Sequence, residues 1–173
     1  MKRILFFCLW LSILITTSAQ SDEVQQTLPA VAKPYVATDF SLRGEYGKTY
    51  RLSDLYGKVV VLNFWATWCP PCRFEMPSLE RLWQKVKDQN IIVLAINVGE
   101  DSDTIFEFGG NYPTTFPIPM DQDGEVIKQY PVVGLPTTYV INPKGMVMYR
   151  AVGSREWDSD KIIATLKALR SKK

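Results

Sequence analysis

Val59-Val60-Val61-Leu62-Asn63-Phe64-Trp65-Ala66-Thr67-Trp68-Cys69-Pro70-Pro71-Cys72 is the stretch that decides the fold of this chain. Its first half is a β-branched, aliphatic and aromatic run with Asn63 as its one polar residue, the pattern of a strand buried on both faces in a parallel-type sheet. Its second half places two cysteines three apart, where a disulfide can close and open reversibly. Beyond them Leu79, Leu82, Trp83 and Val86 recur at i, i+3, i+4 and i+7, which predicts a helix over 72–87 with a kink at Pro77. A second buried strand follows at 91–98. Strand, helix and strand in this length imply a βαβ unit with a right-handed crossover.

Further out the signals are weaker. Segments 36–42 and 49–52, separated by Gly44 and Gly47, read as a hairpin ahead of the core, and 53–57 as a turn. After the second strand come a helix over 102–108 stopped by Gly109-Gly110, a strand over 116–120, the turn Asp121-Gln122-Asp123-Gly124 and a helix over 125–130. Segments 137–141 and 146–152 form a hairpin around Asn142-Pro143-Lys144-Gly145. The last helix begins at Asp158 as its N-cap, turns Ile162, Leu166 and Leu169 inward, and carries Lys167, Arg170 and Lys172 at its negative end.

With 173 residues, 46% of them apolar, the chain suffices for one well-packed domain. Met1-Lys2-Arg3, an apolar run from Ile4 to Ile15 and the small residues before Gln20 have the order of a secretory signal. The uncharged run, about 16 residues, is short of the roughly 18 that a membrane-spanning helix needs. Residues 1–19 are therefore expected to be a cleavable signal peptide, with membrane anchoring by an uncleaved leader as the alternative. Residues 20–34 read as a flexible linker and 35–173 as the domain. Removing Lys2 and Arg3 with the leader leaves acidic and basic residues in balance, so no basic stripe for nucleic acid is expected.

Cys8 leaves with the leader, so Cys69 and Cys72 have no competing partner. The chain has no histidine at all. Two cysteines without histidine cannot complete a structural zinc site, and hydrolases that rely on a histidine base are excluded. A static disulfide remains possible in principle, but closing so short a ring constrains the unfolded chain little. Thiol–disulfide exchange is the chemistry left, and no cofactor or metal is expected. At a helix start Cys69 gains free backbone N–H donors, which makes it the attacking sulfur. Cys72, one turn on, faces the domain and resolves the mixed disulfide. Proline at 70 and 71 costs a first turn no hydrogen bond. Trp68 is a candidate substrate contact, whereas Trp65 and Trp83 belong to core elements.

The segment Phe64-Trp65-Ala66-Thr67-Trp68-Cys69-Pro70-Pro71-Cys72-Arg73-Phe74-Glu75-Met76-Pro77 resembles the active-site segment of TlpA/ResA-type thioredoxin-like proteins, to which CcmG-like proteins are related. Gly57-Lys58, Ile96-Asn97-Val98-Gly99-Glu100 and Gly134-Leu135-Pro136-Thr137-Thr138 are similar to that family's pattern as well. The resemblance runs from about Val36 to the C-terminus. It implies an α/β thioredoxin-like fold with an N-terminal β-hairpin and a central insertion, here 98–124. It also implies an extracytoplasmic thiol–disulfide oxidoreductase that reduces protein disulfides, apocytochrome c among them, and is reloaded by a membrane thiol–disulfide electron donor. A monomer is expected.

On the same resemblance Pro136 is the cis-proline facing the cysteines, and Leu135 and Pro136 present backbone to an extended substrate, with Trp68 and Pro70 beside it. Without the resemblance Pro136 reads as a strand-entry proline. Thioredoxins proper carry a buried aspartate six residues before the first cysteine; here that position is Asn63, which cannot titrate. Glu75, one turn beyond Cys72, matches the family's glutamate that tunes the cysteines, and Glu100 matches a second acid near the site. The alternatives are a solvated first-turn glutamate at 75 and a solvated loop acid at 100. Carboxylates and the apolar Trp68, Pro70 and Pro71 oppose the helix N-terminus at Cys69, which favours a reductase over an oxidase.

Two other functions fit the same fold. A copper metallochaperone of that architecture uses CxxxC and a distal histidine, and this chain has neither. A non-catalytic interaction domain does not explain an intact CxxC. Asp121-Gln122-Asp123-Gly124 lacks the later ligands of a calcium loop and reads as a turn. Ala66 and Leu62 stand where a peroxiredoxin carries its threonine and proline.

Overall fold

The computed structural model describes residues 26–44 and 47–170. The leader with Cys8, the linker up to residue 25 and Lys172 lie outside the described residues. One six-stranded sheet organises the rest, in the order β1-β8-β7-β4-β5-β6. These are β1 (Ala30–Val36), β4 (Val59–Trp65), β5 (Ile91–Val98), β6 (Met120–Asp121), β7 (Thr137–Ile141) and β8 (Met146–Val152). The two central strands are parallel in continuous register from Val59 opposite Ile91 to Trp65 opposite Asn97. Every residue of β4 is buried, as its sequence, apolar except for Asn63, predicts.

Alternate residues of β4 feed two cores. Val59, Val61 and Trp65 face a layer formed by three helices: α1 (Pro70–Val86) through Leu79 and Leu82, α2 (Ser102–Asn111) through Ile105, and α3 (Asp160–Ala168) through Ile162 and Leu166. Val60, Leu62 and Phe64 face the other layer, closed by Phe40, Leu52, Val126, Tyr130 and Tyr139. A small separate hairpin, β2 (Ser41–Arg43) with β3 (Thr49–Arg51), covers that side. Among the described residues no helix is long and apolar enough to cross a membrane.

Several sequence expectations need correction. The linker ends earlier than Pro34, because Ala30–Val36 is an antiparallel edge strand on β8. Pro34 suggested a linker, yet an edge strand tolerates a residue without an N–H, and the pairing shifts register between Ala30 and Tyr35. The N-terminal hairpin starts at Ser41 rather than Val36. Asp39 sets the approach to it, its Oδ1 accepting from Phe40 N at 2.9 Å and Ser53 N at 3.0 Å. The second helix runs through Gly109-Gly110 to Asn111, since a helical glycine costs about 1 kcal/mol and does not forbid the turn. Phe108 offsets that cost by stacking on Tyr112 at 4.6 Å and packing on Trp65 at 5.0 Å.

The strand expected at 116–120 pairs regularly only at Met120 and Asp121. Pro117 and Pro119 supply carbonyls to Ala95 N and Asn97 N but have no donor to return. The helix expected at 125–130 is a single 3₁₀ turn, Ile127–Gln129, capped by the Asp121 carboxylate through Val126 N and Ile127 N. That use of Asp121 accords with the turn reading of 121–124. Ser159, not Asp158, caps α3. Asp158 instead accepts from Arg81 and Lys85 of α1, fastening the first and last helices.

Candidate active site

The parallel register of β4 and β5 delivers the chain from Trp65 to a tight loop, and the loop delivers Cys69 to the N-terminus of α1. Cys69 is extended backbone at the cap position, and its Sγ accepts from Cys72 N at 3.3 Å. The cap therefore places on sulfur one of the free N–H groups expected at a helix start. Pro70 and Pro71 occupy the first turn and are exposed. The two sulfurs are joined as a disulfide, with the Cα atoms 5.3 Å apart. Cys72 is fully buried and Cys69 is 3% exposed, so any approach from solvent meets Cys69 first. Trp68, 67% exposed, stands beside it.

Glu75 is not the solvated first-turn glutamate of the simpler reading. It is 1% exposed, on the same buried face of α1 as Cys72. Three N–H groups from three parts of the chain donate to its carboxylate: Asn63 Nδ2 on β4 at 2.8 Å, Trp157 Nε1 at 2.9 Å and Arg155 N at 3.2 Å. Burial pushes the acid up and these donors pull it down, Trp157 most strongly, leaving its pKa at about 7. Asn63 thus occupies the familiar aspartate position but serves as a donor, passing a second hydrogen to Thr138 Oγ1 at 2.8 Å. Ser78 completes the fastening, donating to Glu75 O or Arg155 O and accepting from Trp157 N.

Glu100 is likewise engaged. Its carboxylate accepts from Thr67 N at 2.8 Å, from Thr67 Oγ1, and from Asn97 Nδ2 at 2.6 Å. It braces the loop two residues ahead of Cys69 and ties it to the end of β5. The Leu135–Pro136 peptide bond is cis. Thr137 pairs with Phe64, which sets Pro136 level with Trp65 at the mouth of the cysteine loop. Leu135 packs against the core cluster that contains both cysteines. The expected residues Cys69, Cys72, Glu75, Leu135 and Pro136 therefore converge, while Glu100 reaches the site through Thr67. Sequence reading did not find Trp157, Arg155 or Ser78. Ser78 carries a readable signal, one turn past Glu75 on the same helix; Trp157 lies 82 residues from its partner and carries none.

Two cysteines at a helix cap, beside a cis-proline and over a buried acid, form the arrangement of a thioredoxin-fold dithiol. A family model described as AhpC/TSA matches residues 35–150. The chain belongs to the AhpC/TSA family. Among relatives, it is similar to the thiol-disulfide oxidoreductase ResA of Bacillus subtilis, 42% identical over 68% of this chain and 66% of that protein. It is equally similar to the ResA of Geobacillus kaustophilus, 42% identical over 72% of each chain. Among solved structures, a thioredoxin-family thiol:disulfide interchange protein from Chlorobium tepidum superposes with a TM-score of 0.69 at 30% identity, over 80% of this chain and 99% of that one. Within the AhpC/TSA family this chain is a thiol–disulfide oxidoreductase of the ResA type, on a mixed α/β thioredoxin-like fold.

Proposed function

We propose that the protein is an extracytoplasmic disulfide reductase whose reduced Cys69–Cys72 pair opens disulfides in protein clients. The Cys69 thiolate attacks one client sulfur, forms a mixed disulfide and expels the first client thiolate. The Cys72 thiolate then attacks Cys69 Sγ, expels the second client thiolate and closes the Cys69–Cys72 disulfide, so two electrons pass to the client. The observation that carries this reading is the buried Glu75 carboxylate on the face of α1 that holds Cys72. Cys72, shielded from water, needs a nearby base to become nucleophilic, and an acid held at about 7 accepts that proton at neutral pH. Glu100 tunes the pair by fixing the loop before Cys69, and Trp68, Pro70, Leu135 and Pro136 receive the client.

The leader-like residues 1–19 support export. The resemblance of residues 64–77 to the TlpA/ResA-type active-site segment supports a client such as the cysteine pair of an apocytochrome c, and a membrane thiol carrier as electron donor. The test is Cys72→Ser, which should accumulate mixed disulfides at Cys69 that mass spectrometry identifies, combined with a reduction potential for the wild-type pair. A potential above about −150 mV, near the strongly oxidising end of the range, refutes the reductase direction. Recovery of no cysteine-linked partner, with no disulfide reduction by the purified protein, removes the catalytic reading.

A further inference from the structure

The segment around Leu135 is held at Tyr130, Pro131, Gly134 and Pro136, and one hold comes from an arginine on another strand. Tyr130 is fixed by its ring against Phe64 at 5.1 Å and Tyr139 at 5.2 Å, and by its hydroxyl donating to Thr38 O. Gly134 O accepts from Thr137 Oγ1 at 2.6 Å, and Pro136 O accepts from Gly153 N at 2.9 Å. Between these two ends the carbonyl of Pro131 accepts from Arg150 Nη2. Arg150 lies on β8 opposite Tyr139 of β7, and its guanidinium sits over the Tyr139 ring, 6.0 Å from the centroid. The ring fixes the plane of the fork, and the fork then has a fixed direction in which to donate.

The outcome is a loop clamped from beneath and open above. Val133 is 80% exposed, whereas Leu135 is half-buried against the cluster of the cysteines. We propose that Arg150 is a positioning residue for protein clients: by holding the Pro131 carbonyl it sets the path of residues 132–135, the segment against which an extended client lies, without acting on the sulfurs. This rests on the reductase reading above. A client that pairs with backbone depends on that path, because a strand added in the wrong register loses its hydrogen bonds together. A disulfide too small to reach the loop does not.

The test compares insulin with dithiodipyridine as oxidants of the reduced protein. In Arg150→Met, which keeps an apolar stem and loses the donor, the KM for insulin should rise about tenfold, the scale of one charge-assisted hydrogen bond. Its kcat, the rate with dithiodipyridine and the reduction potential should stay at wild-type values. Arg150→Lys, which restores a cationic donor, should recover part of the lost KM. An unchanged KM for insulin overturns the proposal, as does equal slowing with both disulfides or a moved potential. As a second measurement, amide hydrogen exchange at 132–135 should quicken in Arg150→Gln while exchange in α1 stays unchanged; unaltered exchange at 132–135 also overturns it. A wild-type protein that reduces neither disulfide is a separate result, the failure of the reductase reading itself.

Discussion

Ionised, the Glu75 carboxylate has three N–H donors; neutral, it has an apolar core around it. Its folded pKa of about 7 stands above the 4.5 of an ordinary glutamate, so the folded protein holds this proton more tightly than the unfolded chain does. Stability is then fully present at low pH and falls as pH rises from about 4.5 to about 7, by about 3 kcal/mol at 1.36 kcal/mol per pKa unit. The absence of histidine leaves that window clear, and the cysteines do not titrate in the disulfide form. Urea unfolding of the oxidised protein should therefore give a lower unfolding free energy at pH 7.5 than at pH 5, and Glu75→Gln should flatten the difference. Trp157→Phe, by removing the strongest donor to the ionised form, should carry the decline to higher pH. Equal stability of the wild type at both pH values contradicts this account. The place of Glu75 was legible because Cys72 and Glu75 share one helix face by spacing alone. Its burial was not, because that depends on Asn63 and on a tryptophan from the far end of the chain.

Among the elements, legibility follows the strength of the apolar period. The strands at 59–65, 91–98, 137–141 and 146–152 lie where their sequences place them, since each is a continuous run with clear turn residues beyond it. The short pieces around them depart from expectation at prolines and glycines. Pro34 lies within an edge strand, Pro117 and Pro119 accept without donating, and α2 passes through its two glycines. The last case gives a test, because Gly110 is helical and exposed and an added Cβ there meets no atom within 4 Å. Gly110→Ala should raise the unfolding free energy by about 0.5–1 kcal/mol, through less freedom in the unfolded chain and higher helix propensity. Chemical denaturation measures it, and a destabilised variant argues that α2 does not extend through this residue.

At the scale of the whole molecule, the thioredoxin-like order of elements was readable from the resemblance, but the outermost strand was not. β1 is exposed along most of its length, so its sequence carries no buried alternation to announce it. It is nonetheless part of the fold: Leu28 and Val31 reach the two cores on either side of the sheet, and Pro29 O accepts from Arg150 N at 3.0 Å. A chain beginning at Ala37 should lose about 2 kcal/mol of stability relative to one beginning at Gln26, the scale of partly burying two aliphatic side chains. Equal thermal stability of the two chains makes β1 dispensable.

The same sheet has prolines at both margins, Pro34 within β1 and Pro117 and Pro119 on the approach to β6. Pro34 leaves a gap among the donors of one margin, and Gly44 bridges Pro119 at the other, so neither margin offers the unbroken row of donors that templates amyloid-like stacking. A thiol–disulfide oxidoreductase, whose substrates are disulfide-containing proteins, gains from this arrangement. Its sheet can meet other chains without becoming the seed of their aggregation.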